Sequence, residues 1–68
     1  SRQDVTCLQA RALPAGLVPS GIARLIEKRF PERKVVKIER DRRDWEVELD
    51  DGTDLKFDLQ FNLIDIDR

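Results

Sequence analysis

From Trp45 to Asp58 apolar and polar residues alternate: Glu46 and Glu48 separate Trp45, Val47 and Leu49, and Lys56 separates Leu55 from Phe57, between Asp54 and Asp58. A period of two puts the apolar set on one face of a strand and the charged set on the other. Between the runs sits Asp51-Gly52, a dipeptide that tolerates the positive φ of a hairpin turn. The stretch predicts a β-hairpin with one apolar face and one acidic face, and Trp45 is expected on the covered side.

Upstream the period changes. Ile22, Leu25, Ile26 and Phe30 fall on one stripe of a helix whose other side carries Arg24, Glu27 and Lys28. Pro19 suits a first helical position, with Ser20 as a cap for a slightly later start, and Pro31 makes Phe30 the last plausible helical residue. A strand is expected at about 35–40 with Val36 and Ile38 inward and Val35, Lys37 and Glu39 outward. Residues 41–44, DRRD, read as a charged turn. After the central hairpin, Leu59 to Asn62 should turn into a last strand, Leu63 to Asp67, with Ile64 and Ile66 inward. Residues 1–17 read as irregular: Val5, Leu8 and Ala12 have helical spacing, Val5 and Cys7 also suit an extended piece, and Leu13-Pro14 followed by Gly16 opposes one continuous helix. The expected fold is α+β, one helix on one face of a four-stranded antiparallel meander formed by residues 18–68.

With 68 residues the chain makes one domain, near the lower limit for a single hydrophobic core. Hydrophobic and charged residues each contribute 40%, which is unlike a disordered tail, and no apolar run approaches the roughly 20 residues that cross a bilayer. The net charge of −1 hides an uneven distribution. Residues 24–43 hold nine Lys or Arg against four acids, whereas residues 44–67 hold nine acids against Lys56. The chain opens on Ser1-Arg2 with no signal peptide, as a processed chain would, so compartment is not read from this end.

Candidate chemistries are few. Cys7 is the single cysteine and histidine is absent, so no internal disulfide, thiolate metal cluster or Cys-His nucleophile can be built. Glu46 and Glu48 share a strand face with Asp54 and Asp58 close by, but an acid and base pair needs one carboxyl raised by burial, which an exposed face does not supply. Asp50 to Asp54 offers oxygen ligands to calcium yet lacks the spacing and distal Glu of an EF-hand loop. Arg40, Arg42 and Arg43 cluster with Lys37 and Arg33, but the acidic face and a sequence pI near 5.3 oppose nucleic acid. No cofactor and no catalytic or metal residue is expected.

The order of Val18-Pro19, Ile22, Leu25-Ile26, Phe30-Pro31, Val36, Ile38, Trp45-x-Val47-x-Leu49, Asp51-Gly52, Leu55-x-Phe57-Asp58, Leu63 and Ile66-Asp67 resembles the PepSY-like family of small bacterial proteins, similar in fold to β-lactamase inhibitor protein. The resemblance implies a helix on a four-stranded antiparallel sheet, export to the periplasm or beyond, and often two such units per protein. It supplies no catalytic residues. One departure matters: Phe61 stands where the family pattern has a turn glycine, so either Asn62 takes the left-handed position or the turn is longer.

The expected function is a non-catalytic exported module that binds or inhibits a protein; the alternatives are a self-associating structural domain or a small-ligand or calcium sensor. The candidate partner-binding residues are Glu46, Glu48, Asp54 and Asp58 for a cationic partner, and Leu59, Phe61 and Leu63 as an exposed apolar cluster. That cluster is also the expected contact of a homodimer, the competing reading being that Phe61 folds back over the core beside Phe30.

Overall fold

The computed structural model describes residues 6–68. Five strands form an antiparallel meander in the order β1 (Thr6–Gln9), β2 (Val35–Arg40), β3 (Asp44–Leu49), β4 (Asp54–Asp58) and β5 (Leu63–Asp67), and one helix, α1 (Ser20–Arg29), covers one face. The α+β architecture agrees with the sequence pattern, and the strand count corrects it from four to five. The extra strand comes from the segment expected to be irregular, where Cys7 pairs with Glu39 and Leu8 with Ile38. A four-residue strand gives too short an alternation to read; of the extended piece weighed there, Cys7 is in β1 and Val5 lies outside the described residues. The chain then stays beside β2, since the Ala10 and Leu13 N–H groups donate to the carbonyls of Val36 and Val35 at 2.9 and 2.8 Å.

The helix starts at Ser20 after Pro19, and the Phe30 N–H closes it on the Ile26 carbonyl at 2.7 Å. Ile22 and Ile26, one turn apart, are buried against Ile38, Val47, Leu49, Leu55 and Phe57, the inward positions of β2, β3 and β4. Five strands about 4.8 Å apart are roughly 19 Å across, whereas a helix is about 10 Å wide. One helix therefore leaves both flanks of the inner face to other residues. Leu13 and Val18 pack on the β1–β2 side. On the other side the work falls to Phe61, Trp45 and Leu63.

Two inward assignments change because the ladder slips. A bulge between Val35 and Lys37 turns Val35 onto the core in place of Val36. A second bulge sets Leu63 opposite Phe57 and Ile66 opposite Leu55, leaving Ile64 at the irregularity and 54% exposed. Ile66 keeps its inward register but lies on an edge strand beyond the reach of the helix and is 36% exposed. An extra residue in one strand flips every later side chain, which simple alternation does not foresee. Trp45 is on the inner face as expected but only half-buried, because it occupies the end of β3 past the first turn of α1.

The two turns on either side of β4 share one backbone plan. In the first, the Gly52 N–H donates to the Leu49 carbonyl at 3.0 Å, Gly52 takes φ +89°, and the Leu49 N–H donates to the Thr53 carbonyl at 2.8 Å. In the second, the Phe61 N–H donates to the Asp58 carbonyl at 3.0 Å, Phe61 takes φ +68°, and the Asp58 N–H donates to the Asn62 carbonyl at 2.9 Å. The left-handed position is thus held by Phe61 itself, at a cost of about 1–2 kcal/mol for a residue with a β-carbon, and neither Asn62 nor a longer turn relieves it. The ring turns inward, tilted at 57° to Trp45 with centroids 6.2 Å apart, and lies on Gly21 in the first turn of α1. It plugs the core at the opposite end of the helix from Phe30.

A β-carbon at Gly21 would come within 2.8 Å of Phe61 Cδ2. Gly21→Ala should therefore destabilise the protein in chemical unfolding, although Ala is the better helix former by about 1 kcal/mol. In a Phe61→Gly background the clash is gone, and the same Gly21→Ala change should become stabilising. A Gly21→Ala effect of the same sign in both backgrounds would show that the two residues are not in contact.

Candidate functional site

The outer face of the sheet is an array of acids. Trp45, Val47, Leu55 and Phe57 take the inner face, so Asp44, Glu46 and Glu48 of β3 and Asp54, Lys56 and Asp58 of β4 point away from the helix. Neighbouring strands add Lys37 and Glu39 from β2 and, by register with Lys56 and Asp54, Asp65 and Asp67 from β5. Lys37, Glu46, Glu48, Asp54, Lys56, Asp65 and Asp67 line an open groove of about 290 Å³ on this face. Of these, Asp65 and Asp67 were missed as site residues; their alternation with Ile66 was the signal available for them.

The cross-strand register sets acid against acid four times: Glu39 opposite Glu46, Asp44 opposite Asp58, Glu48 opposite Asp54, and Asp54 opposite Asp67. Like charges directly opposite on one face destabilise a sheet. Two lysines relieve part of this repulsion. Lys56 Nζ lies 3.6 Å from Glu46 Oε1 and 4.0 Å from Asp44 Oδ2, and Lys37 is paired in register with Glu48. Asp54, flanked by Glu48 and Asp67, has no cation in register with it.

The seven expected partner-binding residues separate into different roles. Glu46, Glu48 and Asp54 come together in the groove. Asp58 shares their face but uses its carboxylate locally: Oδ1 accepts from the Gln60 and Asn62 N–H groups, each at 2.9 Å, and Oδ2 from Asn62 Nδ2 at 3.1 Å. These bonds stabilise the ionised form, and the Asn62 N–H above all holds the Asp58 carboxyl below its ordinary value. Asp51 is lowered in the same way, chiefly by the Thr53 N–H, which donates to its Oδ1 at 3.0 Å. Leu59 is exposed, but Phe61 and Leu63 are half-buried against the core, so the three make no shared outward cluster and the expected homodimer loses Phe61 as its anchor.

Both displaced carboxyls move towards stronger acidity, which suits ionised acceptors; a proton donor at neutral pH would need the opposite shift. Among the described residues no group of three or more Asp, Glu or Cys side chains is placed to share a metal ion. No described helix is long and apolar enough to cross a membrane.

A helix laid on one face of an antiparallel meander, with a polar outer face, defines a small two-layer α+β domain. Residues 4–65 match the family described as "Putative beta-lactamase-inhibitor-like, PepSY-like", and the chain belongs to that family. Solved structures agree. A Bacteroides vulgatus protein is 43% identical, superposes with a TM-score of 0.88, and is matched over 93% of this chain and 51% of its own. A Bacteroides thetaiotaomicron protein is 49% identical with a TM-score of 0.81, over 84% of this chain and 45% of its own. Another Bacteroides vulgatus protein is 26% identical with a TM-score of 0.79 over the same shares. All three are described as putative periplasmic proteins, the second also as calcium-regulated. The chain spans about half the length of these solved chains. Among curated proteins none matches it.

The geometry yields two expectations. Asp58 has its acidity raised by folding, so its contribution to stability is complete above the unfolded carboxylate pKa of about 4 and is lost as pH falls through the lower folded value. Melting temperatures of wild type and Asp58→Asn should differ at pH 7 and converge in acid, and a constant difference would show that the carboxylate charge plays no part. Asp54→Asn should stabilise the fold by about 0.2–1 kcal/mol, the range of a cross-strand pair, and the gain should shrink with added salt. A loss of stability at low salt would show that the opposed acids do not repel.

Proposed function

We propose that this chain is a non-catalytic periplasmic binding module that presents the outer face of its sheet to a cationic protein surface. The observation that carries the reading is the set of four opposed acid pairs. A face optimised for folding alone would alternate signs across strands; one held acidic at a cost to the sheet is suited to a partner that supplies the missing cations. Within it Glu46, Glu48 and Asp54 are the recognition acids, and Asp58 holds the turn beside them. The inhibitor-like family description and the periplasmic descriptions of the solved neighbours support a protein partner and that compartment. Surface charge of this kind mainly sets association rate and specificity.

The test begins with pull-down from a native periplasmic fraction. Once a partner is identified, Glu46→Lys/Glu48→Lys should slow its association at least about tenfold, and added salt should slow the wild type towards the same rate. An unchanged association rate would remove the proposal.

A second reading, a calcium-responsive module, has one specific support, the 49% identity to the protein described as calcium-regulated. A rise in melting temperature with calcium that magnesium does not reproduce would favour it.

A further inference from the structure

The sheet is wider than its helix, and β5 is the strand left with least cover. It pairs with β4 along one edge and meets no strand among the described residues along the other, on the opposite side of the sheet from β1. The direction of its backbone groups follows from the ladder. The Asp58 N–H donates towards β5, to the Asn62 carbonyl, so by alternation Lys56 and Asp54 face β5 as well, with Asp65 and Asp67 opposite them. Ile66, between those two, therefore directs its N–H and C=O to the open edge. Its side chain keeps the inner register opposite Leu55, yet it and Ile64 are both exposed. The charges differ on the two sides of this edge. On the outer side Asp67 stands opposite Asp54, and Lys56, opposite Asp65, is directed at Glu46 and Asp44. On the inner side, the flank of α1 that Phe61 contacts at Gly21 carries Arg24, Leu25 and Lys28 along one open groove.

We propose that the partner engages the β5 edge by strand addition: a segment of it with alternating Lys or Arg and aliphatic residues joins β5 as a sixth, antiparallel strand. The inference rests on the reading of the outer face as a surface for a cationic protein, and names the form that protein's contact takes. Charge complementarity selects the occupant and its facing. Cations on the outer side of the added strand stand opposite Asp65 and Asp67, which make no ion pair among the described residues, whereas cations turned inward would meet Arg24 and Lys28. The aliphatic residues then extend the inner face beside Ile64 and Ile66. A residue directly opposite Ile66 exchanges both backbone bonds with it, so the aliphatic residues of the added strand carry the N–H groups that bond to the domain, and the cationic ones direct theirs to solvent. A second copy of this chain fits poorly, because pairing about a two-fold axis sets Asp65 and Asp67 against the same acids. The two acids guard the edge against self-association and favour a basic strand.

The probe is the end-blocked peptide Lys-Val-Lys-Val-Lys-Val, with two controls, one N-methylated at the valines and one at the lysines. Each is titrated against the full chain by calorimetry, and amide hydrogen exchange is followed by NMR. The parent and the lysine-methylated peptide should bind saturably, the valine-methylated one at least about tenfold more weakly, and the Ile66 amide should exchange more slowly in the complex. Asp65→Lys/Asp67→Lys, at exposed positions of an edge strand, should weaken binding of the parent at least about tenfold, and Glu46→Lys/Glu48→Lys, two strands away, by less than about threefold. No binding of the parent, equal binding of the two methylated peptides, or an Ile66 amide that exchanges at its free rate in the saturated complex would overturn strand addition and leave the acidic-face reading standing. That reading falls separately, on an association rate of the captured partner that ignores the Glu46 and Glu48 reversal. Protection of Ile66 that rises with protein concentration in the absence of peptide would assign the edge to a second copy and overturn strand addition equally.

Discussion

A helix of ten residues cannot by itself cover a five-stranded sheet, and the arrangement of the molecule follows from that mismatch in width. Ile22 and Ile26 seal the centre. The β1–β2 flank is closed by the chain leading into the helix, through Leu13 and Val18, and the β4–β5 flank by a loop residue, Phe61. Covering that flank from a tight turn requires the left-handed backbone at Phe61, and the close approach of its ring requires a glycine at position 21. Turn, helix start and aromatic pair therefore form one interlocked unit. Partial burial of the Phe61 ring, worth a part of the about 1.5–3 kcal/mol of full burial, works against a backbone cost of about 1–2 kcal/mol.

The same division organises the charges. With the apolar side chains drawn to the inner face, the alternation sends acids from β2 to β5 to the outer one, and the antiparallel register sets several of them directly opposite one another. The arginines of the β2–β3 loop, Arg42 and Arg43, stand at the end of this array, so opposite charges are segregated along the sheet. Such a field turns a charged partner before contact. It also explains how a chain with a net charge of −1 can carry strongly charged local surfaces.

The legible parts of the sequence were those where one physical rule acts alone. Strict alternation from Trp45 to Leu49 and from Leu55 to Phe57 placed the central hairpin and its acidic face, and Pro19 and Pro31 bracketed the helix. The rules failed where a second effect intervened. Bulges in β2 and β5 exchanged Val35 for Val36 and Leu63 for Ile64. At β1 four residues were too few for a period. Trp45 and Ile66 were assigned to the correct face yet remain partly or largely uncovered, because position along a strand and across a sheet decides burial as much as direction does. At Phe61 local propensity argued for a different residue in the left-handed position, and tertiary packing overrode it. The acids of the groove were recognisable as strand-face residues, but their mutual opposition required the register.

The matched turns on either side of β4 differ in when they can close. Gly52 adopts its conformation without help, and Asp51 secures it through the Thr53 N–H, so the β3–β4 hairpin contains its own instructions and its contacts are local. Phe61 gains nothing from the left-handed state until Gly21, forty residues earlier in the chain, is in place to receive the ring. Loop-closure entropy makes that the later event. The expected order of assembly is β3–β4 first, then α1, with β5 last, and pulse-labelled hydrogen exchange would read it as early protection of Leu49 and Thr53 amides and late protection of those of Phe61 and Asn62. A backbone conformation borrowed from glycine thus becomes a timing device, tying the final strand of the sheet to the prior arrival of the helix.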